Sequence, residues 1–392
     1  MSIVLRSQLI FMSKIKLIKL VDQIMGRTFT SLLRGKSYVS EISLFNKILL
    51  IRPGGIGDAV LLLPAIRALK QAFPDSGIDI LCEKRNADIF RLSNNINTIY
   101  LYDRGIDLFR ALRKKYDIVI DTEQWHRLSA VVAYLSGAPI RVGFDTNERR
   151  KLFTHRIPYS HDDYEVYSFF HLMGPLIPEA PHFDKNKPFM EIPDNASTIP
   201  SPEIEEKKNL VAVFPGASVP ERQWGGDRFG KVAKALTDKG YEIVILGSRS
   251  ESRDAERIKE YAKNAVDMTG RTDLADVAAL LKSCKLLVSA DSGLLHIAYA
   301  AGTPTVSLFG SGIERKWAPP GRRHRVLNKR LPCSPCTKFG YTPCCRRNVE
   351  CMLSIDADEV IRSAVTLLEE PGQPLPQKRK EDVLTIAKKL LS

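Results

Sequence analysis

Residues 47–64, KILLIRPGGIGDAVLLLP, constrain this chain more than any other stretch. The apolar run Ile48-Leu49-Leu50-Ile51 has the composition of a strand buried on both faces. Arg52-Pro53-Gly54-Gly55-Ile56-Gly57-Asp58 is too rich in glycine to continue it, and residues 59–72 resume as an apolar helix pattern. Strand, tight glycine turn and helix make the first half of a βαβ unit. In open α/β sheets, ligands sit at the carboxyl ends of the strands, where this turn lies. The turn is not a standard nucleotide fingerprint. A dinucleotide cradle needs a small residue where Val60 stands, and the Gly-Lys-Ser/Thr of a phosphate loop is absent. Asp58, at the turn-to-helix junction, is then either a helix cap or a carboxylate free for work in the crevice.

The alternation continues downstream. Strands are expected at 78–82, 98–102, 117–121 and 141–144, with helices at 108–115 and 130–135. Apolar strands spaced by helices mean a parallel sheet, so residues 46–180 are expected to form one Rossmann-like domain. Pro178, Pro181, Pro188, Pro193, Pro200 and Pro202 then exclude a regular element, and 181–206 reads as a proline-rich linker. The pattern restarts with strands at 210–214, 241–246, 286–289 and 305–309 and a short extended piece at 266–270. Helices are expected at 227–239, 252–262, 274–282 and 294–301, giving a second Rossmann-like domain over 207–370. The fold class is α/β, two such domains facing a central cleft. Residues 371–392 form a basic polar tail.

Length agrees: 392 residues exceed one ordinary domain, and 44% hydrophobic content can fill two cores. The net charge of +13 favours anionic partners such as nucleotides, phosphorylated sugars or an acidic membrane surface. Its basic residues are not interleaved with aromatics, so no nucleic-acid partner is expected. No run of about 18 apolar residues appears, so no spanning helix is expected. In the leader 1–45, Arg6, Lys14, Lys16, Lys19, Arg27, Arg34 and Lys36 outnumber Asp22 and Glu41. Residues 14–33 read either as a basic amphipathic helix lying on a membrane surface or as a floppy leader, with Met12 and Met25 as later starts. Arg6 and Gln8 break the apolar run, which argues against a cleaved signal peptide. Seven cysteines without a secretory signal point to a reducing compartment, with Cys82 and Cys284 as buried filler.

Chemistry concentrates in a few strings. In Asp291-Ser292-Gly293-x-x-His296 a strand ends and a helix begins, whose N–H groups and dipole suit a diphosphate. Ser292 adds a hydroxyl and Gly293 permits close approach, while His296 lies in the first turn and alone would read as a core histidine. Pro215-Gly216-Ala217-Ser218 with Arg222-x-Trp224 is a second phosphate candidate, Arg222 supplying a bidentate cation. Gly247-x-x-x-Glu251 follows a strand, where Glu251 either accepts from ribose hydroxyls or only favours a helix dipole. Cys333-x-x-Cys336 with Cys344, Cys345 and Cys351 has spacing compatible with a soft metal held by Cys333, Cys336, Cys344 and Cys351, or is a structural loop.

With these strings in place, the chain resembles glycosyltransferase family 9, the ADP-heptose:lipopolysaccharide heptosyltransferases, over about 46–370. The likeness rests on 52–58, Phe214 to Ser218 with Arg222-x-Trp224, Leu246-Gly247-Ser248, Asp291 to His296, Leu308-Phe309-Gly310 and the cysteine loop. It implies a GT-B fold, an acceptor at the Gly54, Gly55 and Gly57 loop, and an ADP-sugar in the second domain. The donor would be held by Ser218, Arg222, Gly247, Glu251, Asp291, Ser292, Gly293 and His296. The family's general base maps onto Asp58, and its donor-phosphate cation, often Lys, is Arg222 here. The resemblance further implies inversion at the sugar, no obligatory metal and no cofactor. The expected acceptor is the lipopolysaccharide inner core, lipid A-Kdo or heptosyl-Kdo. The expected setting is a cytoplasmic monomer, peripheral at the cytoplasmic face of the inner membrane. Rivals are transfer of another nucleotide sugar, a nucleotide-sugar epimerase and a non-catalytic nucleotide-binding protein. The leader lies outside the family pattern.

Overall fold

Short apolar runs, each followed by a turn and a helix, fold into two parallel sheets. The structure, a computed structural model, describes residues 22–33, 45–179, 181–192, 209–339 and 341–370. In the first sheet lie β1 (Lys47–Arg52), β2 (Gly77–Cys82), β3 (Thr98–Leu101), β4 (Ile118–Asp121), β5 (Ile140–Phe144) and β6 (His155–Ile157), ordered β3-β2-β1-β4-β5-β6. In the second lie β7 (Leu210–Phe214), β8 (Glu242–Ile245), β9 (Val266–Asp267), β10 (Leu286–Ala290), β11 (Thr305–Leu308) and β12 (His324–Leu327), ordered β12-β11-β10-β7-β8-β9. Every pairing is parallel, with Ile51 opposite Asp121 and Ser289 opposite Phe214. The central strands β4, β7 and β10 are buried along their whole length, as strands covered by helices on both faces must be.

Both sheets reverse direction at their centre. The chain runs from β1 outward through β2 and β3, then crosses back to β4 on the other side of β1; β7 and β10 repeat the arrangement. Ligand crevices open where strand order reverses, at the carboxyl ends of the flanking strands. These points lie after Arg52 and Asp121 in one sheet and after Phe214 and Ala290 in the other.

The domains share apolar core. Leu62, Phe169, Phe189, Ile297 and Tyr299 belong to one buried cluster, in which the helices Ile56–Ala72, Glu165–Met173 and Gly293–Ala301 meet. Within the stretch read as a linker, Phe183, Phe189 and Met190 are buried, and the amides of Phe189 and Met190 donate to Ala300 O. The rest of that stretch, 193–206, lies outside the described residues, as do the tail 371–392 and leader residues 1–21 and 34–44.

Of the leader, Asp22–Gly26 forms a π-helical turn and Arg27–Leu32 a short helix. Asp22 is buried and accepts from the amides of Arg127 and Leu128 at 2.8 Å, capping the helix Arg127–Leu135. Residues 22–33 therefore pack against the first domain. The helix after β1 starts at Ile56, not at residue 59, because Gly57 and Asp58 form its first turn. Strands β6 and β12 and the helices Glu165–Met173 and Ala357–Glu369 were not expected. Among the described residues no helix is long and apolar enough to cross a membrane.

Candidate active site

The two switch points face each other. After β1, Gly54 takes φ +109°, a left-handed conformation that a side chain would strain, and a Cβ there would lie 3.1 Å from an Arg52 guanidinium nitrogen. The helix Ile56–Ala72 then starts against the start of Gly293–Ala301. A Cβ on Gly57 would lie 2.5 Å from His296 Cδ2, and one on Gly293 would lie 2.9 Å from Ile56 Cβ. Only glycine at both positions lets the two helix N-termini approach this closely.

Asp58 is the third residue of its helix, not the cap; Gly55 holds that position. Its side chain is 24% exposed and its Oδ2 lies 3.6 Å from the Arg52 guanidinium. Arg52 is buried and fixed by hydrogen bonds to Pro53 O, Thr122 O and Glu123 Oε2. Burial alone would depress its pKa, but Asp58, Glu123, Glu165 and Asp121 together raise it above the ordinary arginine range. Glu123 also loses solvation on burial, yet His126, Arg52, Arg149 and the Trp125 amide hold its carboxyl down at about 2. Asp121 pairs with the buried Arg149. Arg52, Asp121, Glu123 and Arg149 thus form a charge network beneath Asp58 that sequence reading missed. Asp121-x-Glu123 at the end of a buried strand was the available signal.

On the facing wall, Ser292 caps the helix Gly293–Ala301, its Oγ accepting from the Leu295 amide and bonding Ser289 Oγ at 2.9 Å. Asp291, just before it, pairs with Arg222 at 3.0 Å, which joins the loops after β7 and β10. Trp224 is buried and donates its indole N–H to Ile355 O, anchoring the loop that carries Arg222. Arg222 Nε, His296 Nδ1 and Ser311 Oγ are buried without a hydrogen-bond partner. Burial lowers the His296 pKa from the ordinary histidine range, with Asp291 and Asp58 opposing.

The remaining candidates divide. Gly216 and Gly247 lie under the Glu251 side chain, which approaches a Cβ at either position to within 2.9 Å. The Glu251 carboxylate accepts from the Ser248 amide at 2.7 Å and from the Ser248 and Ser250 hydroxyls, in a capping box. All of these partners lie within its own loop. Ser218 is exposed at the mouth of the β7 turn. All seven cysteines are free thiols, with Cys333, Cys344 and Cys345 exposed and Cys351 buried beneath Gly310. Among the described residues no group of three or more His, Cys, Asp or Glu is placed to hold a metal ion. The loop carrying them instead reaches the first domain, where Phe339 stacks on Trp125 with ring centroids 4.2 Å apart.

Two doubly wound parallel sheets with apposed switch points make the GT-B fold of glycosyltransferases. The model of glycosyltransferase family 9 (heptosyltransferase) matches residues 106–342, more than half of the chain, and the protein belongs to that family. Lipopolysaccharide heptosyltransferase 3 of Escherichia coli is 27% identical over 289 residues, spanning 67% of this chain and 83% of that protein. Lipooligosaccharide heptosyltransferase 2 of Haemophilus ducreyi is 25% identical over 308 residues, 72% of this chain and 88% of its own. In fold the chain is similar to a family 9 glycosyl transferase from Veillonella parvula, with TM-score 0.68, 20% identity and coverage of 83% and 98% of the two chains. E. coli ADP-heptose lps heptosyltransferase II gives 0.66, 21%, 82% and 98% in the same terms.

Proposed function

We propose that the enzyme transfers a heptose from ADP-heptose to the inner core of lipopolysaccharide, lipid A-Kdo or heptosyl-Kdo, with inversion. The observation that carries this reading is Asp58, partly open to solvent, held 3.6 Å from buried Arg52 on the wall that touches His296. Its carboxylate accepts the proton of an acceptor hydroxyl, whose oxygen attacks the anomeric carbon as the bond to ADP breaks on the opposite side. The departing diphosphate gains negative charge. Arg222 exchanges Asp291 for it, and the Ser292 hydroxyl and the amides at the start of Gly293–Ala301 add hydrogen bonds. The loop of Gly54, Gly55 and Gly57 borders the acceptor, while Ser218, Gly247 and Glu251 border the nucleotide. Glu251 reaches ribose only by sharing its capping carboxylate.

The setting is the cytoplasmic face of the inner membrane, where the enzyme acts as a peripheral monomer. On the helix Gly105–Arg113, Ile106 and Phe109 are more than half exposed beside Arg110 and Arg113. On the anchored leader piece, Met25, Phe29 and Leu32 are exposed beside Arg27. Apolar side chains flanked by cations suit an anionic lipid surface. Incubating the purified protein with ADP-heptose and a panel of truncated core lipids, and weighing the products, tests the proposal. A core lipid heavier by one heptose with release of ADP supports it; donor bound but never transferred to any core lipid overturns it.

A further inference from the structure

The loop after β12 carries an aromatic ring across the cleft. Ser311 O accepts from the amides of Cys336 and Thr337 at 3.1 and 2.9 Å, which roots the loop in the second domain. Lys338 and Tyr341 exchange backbone hydrogen bonds at 2.9 and 2.8 Å, and Phe339 stands between them with φ +45°. That left-handed conformation is uncommon for a bulky side chain and persists only where the surroundings impose it. Here the surroundings are rings of the first domain. Phe339 stacks on Trp125 with centroids 4.2 Å apart, meets His161 edge-on at 4.4 Å and lies 5.9 Å from Tyr159.

Those first-domain rings have the make-up of a sugar subsite. The C–H face of a pyranose covers an aromatic ring, while its hydroxyls need a few placed polar partners. Trp125 supplies the face. His161 Nδ1 is buried without a hydrogen-bond partner, a lack that a sugar hydroxyl would meet. Tyr159 is fixed in place: its hydroxyl bonds Glu165 Oε2 at 3.1 Å, and Lys316 of the second domain, paired with Glu165 at 2.8 Å, lies 4.4 Å from its ring centroid. Direct contacts link this box to Asp58. The Trp125 amide donates to Glu123 Oε1 at 3.1 Å, Arg52 Nη2 donates to Glu123 Oε2 at 3.1 Å, and the same nitrogen lies 3.6 Å from Asp58 Oδ2.

We propose that Trp125 and His161 form the subsite for the acceptor's sugar ring, and that Phe339 is a stand-in for that ring, displaced when the acceptor enters. This rests on the reading of the enzyme as transferring to a core lipid. Because Phe339 competes for the face of Trp125, it lowers the apparent affinity for every acceptor by the fraction of time it vacates. A ring that stacks on Trp125 and offers His161 a hydroxyl displaces it, and one that does neither is turned away. Phe339 is thus a specificity determinant supplied by the donor domain.

The test is the acceptor KM, with lipid A-Kdo and heptosyl-Kdo lipid at saturating ADP-heptose, in Phe339→Ala, Phe339→Leu, Trp125→Ala and His161→Ala. Removing the stand-in lowers acceptor KM roughly 3–10-fold, because the subsite is no longer self-occupied. Removing the platform raises it by roughly 3–10-fold, and His161→Ala raises it as well. ADP affinity stays level throughout. Without donor, the same lipids shift the emission of Trp125, one of three tryptophans, and Trp125→Ala loses that shift. If Phe339→Ala does not fold, Phe339→Leu keeps apolar bulk, loses the stacked ring and carries the same comparison. Acceptor KM unmoved or raised in the Phe339 variants makes the ring an interdomain contact only and overturns the inference. Wild-type protein that extends no core lipid removes the proposed function and this inference with it; wild-type transfer beside an unmoved acceptor KM removes this inference alone.

Discussion

The imidazole of His296 fills the space into which a side chain at position 57 would project, with Cδ2 2.5 Å and Nε2 3.1 Å from a Cβ built on Gly57. The walls of the cleft therefore touch at a residue without a side chain, one position before Asp58. A methyl group there must push the second domain away or turn the imidazole.

Gly57→Ala is accordingly expected to fold, since alanine is at least as good as glycine inside a helix, but to misplace donor against base. Displacements on the scale of 1 Å cost about 10²-fold in rate. Steady-state kinetics beside a melting curve checks this: a large fall in kcat with a melting point near wild type is expected.

Arg222→Ala is expected to weaken ADP binding about 10–100-fold, the worth of a charge-assisted hydrogen bond in a mostly buried site. Removing Arg222 also leaves Asp291, 5% exposed, without its cation 3.0 Å away. Arg222→Lys recovers part of the affinity, because the charge survives and the fork geometry does not. Calorimetric titration with ADP reads both variants.

Acid sensitivity tests the network under Asp58. Glu123 has an ordinary pKa of 4.5, lowered in the fold to about 2. A lowered carboxyl stabilises the fold above pH 4.5, and that contribution is lost as pH falls from there toward 2. Glu123→Gln has no such proton to take up. Its stability to urea is expected to be lower than wild type at pH 7 and to fall less steeply between pH 5 and pH 3.

Much of this site could be read from the chain. Ile48 to Asp58 announces its strand, turn and helix through an apolar run, clustered glycine and a lone acid, and Asp291 to His296 does so again. Both are local patterns. Their apposition is not local, since nothing in either string says that Gly57 will meet His296. The pairing of Glu165 with Lys316 links residues far apart in sequence, and Glu165 opens a helix whose apolar residues show no polar face to betray it. Strands β6 and β12, HRI and HRVL, are short edge strands with polar and charged residues, so no apolar run marks them. Spacing alone does not say which thiols of the Cys333–Cys351 loop come together; Cys336, Cys345 and Cys333 all act on the Cys351 thiol. The chain leaves Cys333, Cys344 and Cys345 exposed while Cys351 is buried.

The central claim is that the Asp58 carboxylate takes the acceptor's proton. Asp58→Asn keeps the size of the side chain and removes its basicity, so turnover with ADP-heptose and a core-lipid acceptor measures that claim most directly. A loss of about 10²-fold or more in kcat, with ADP affinity and melting temperature close to wild type, is the predicted result. Near wild-type turnover in the same assay would contradict it.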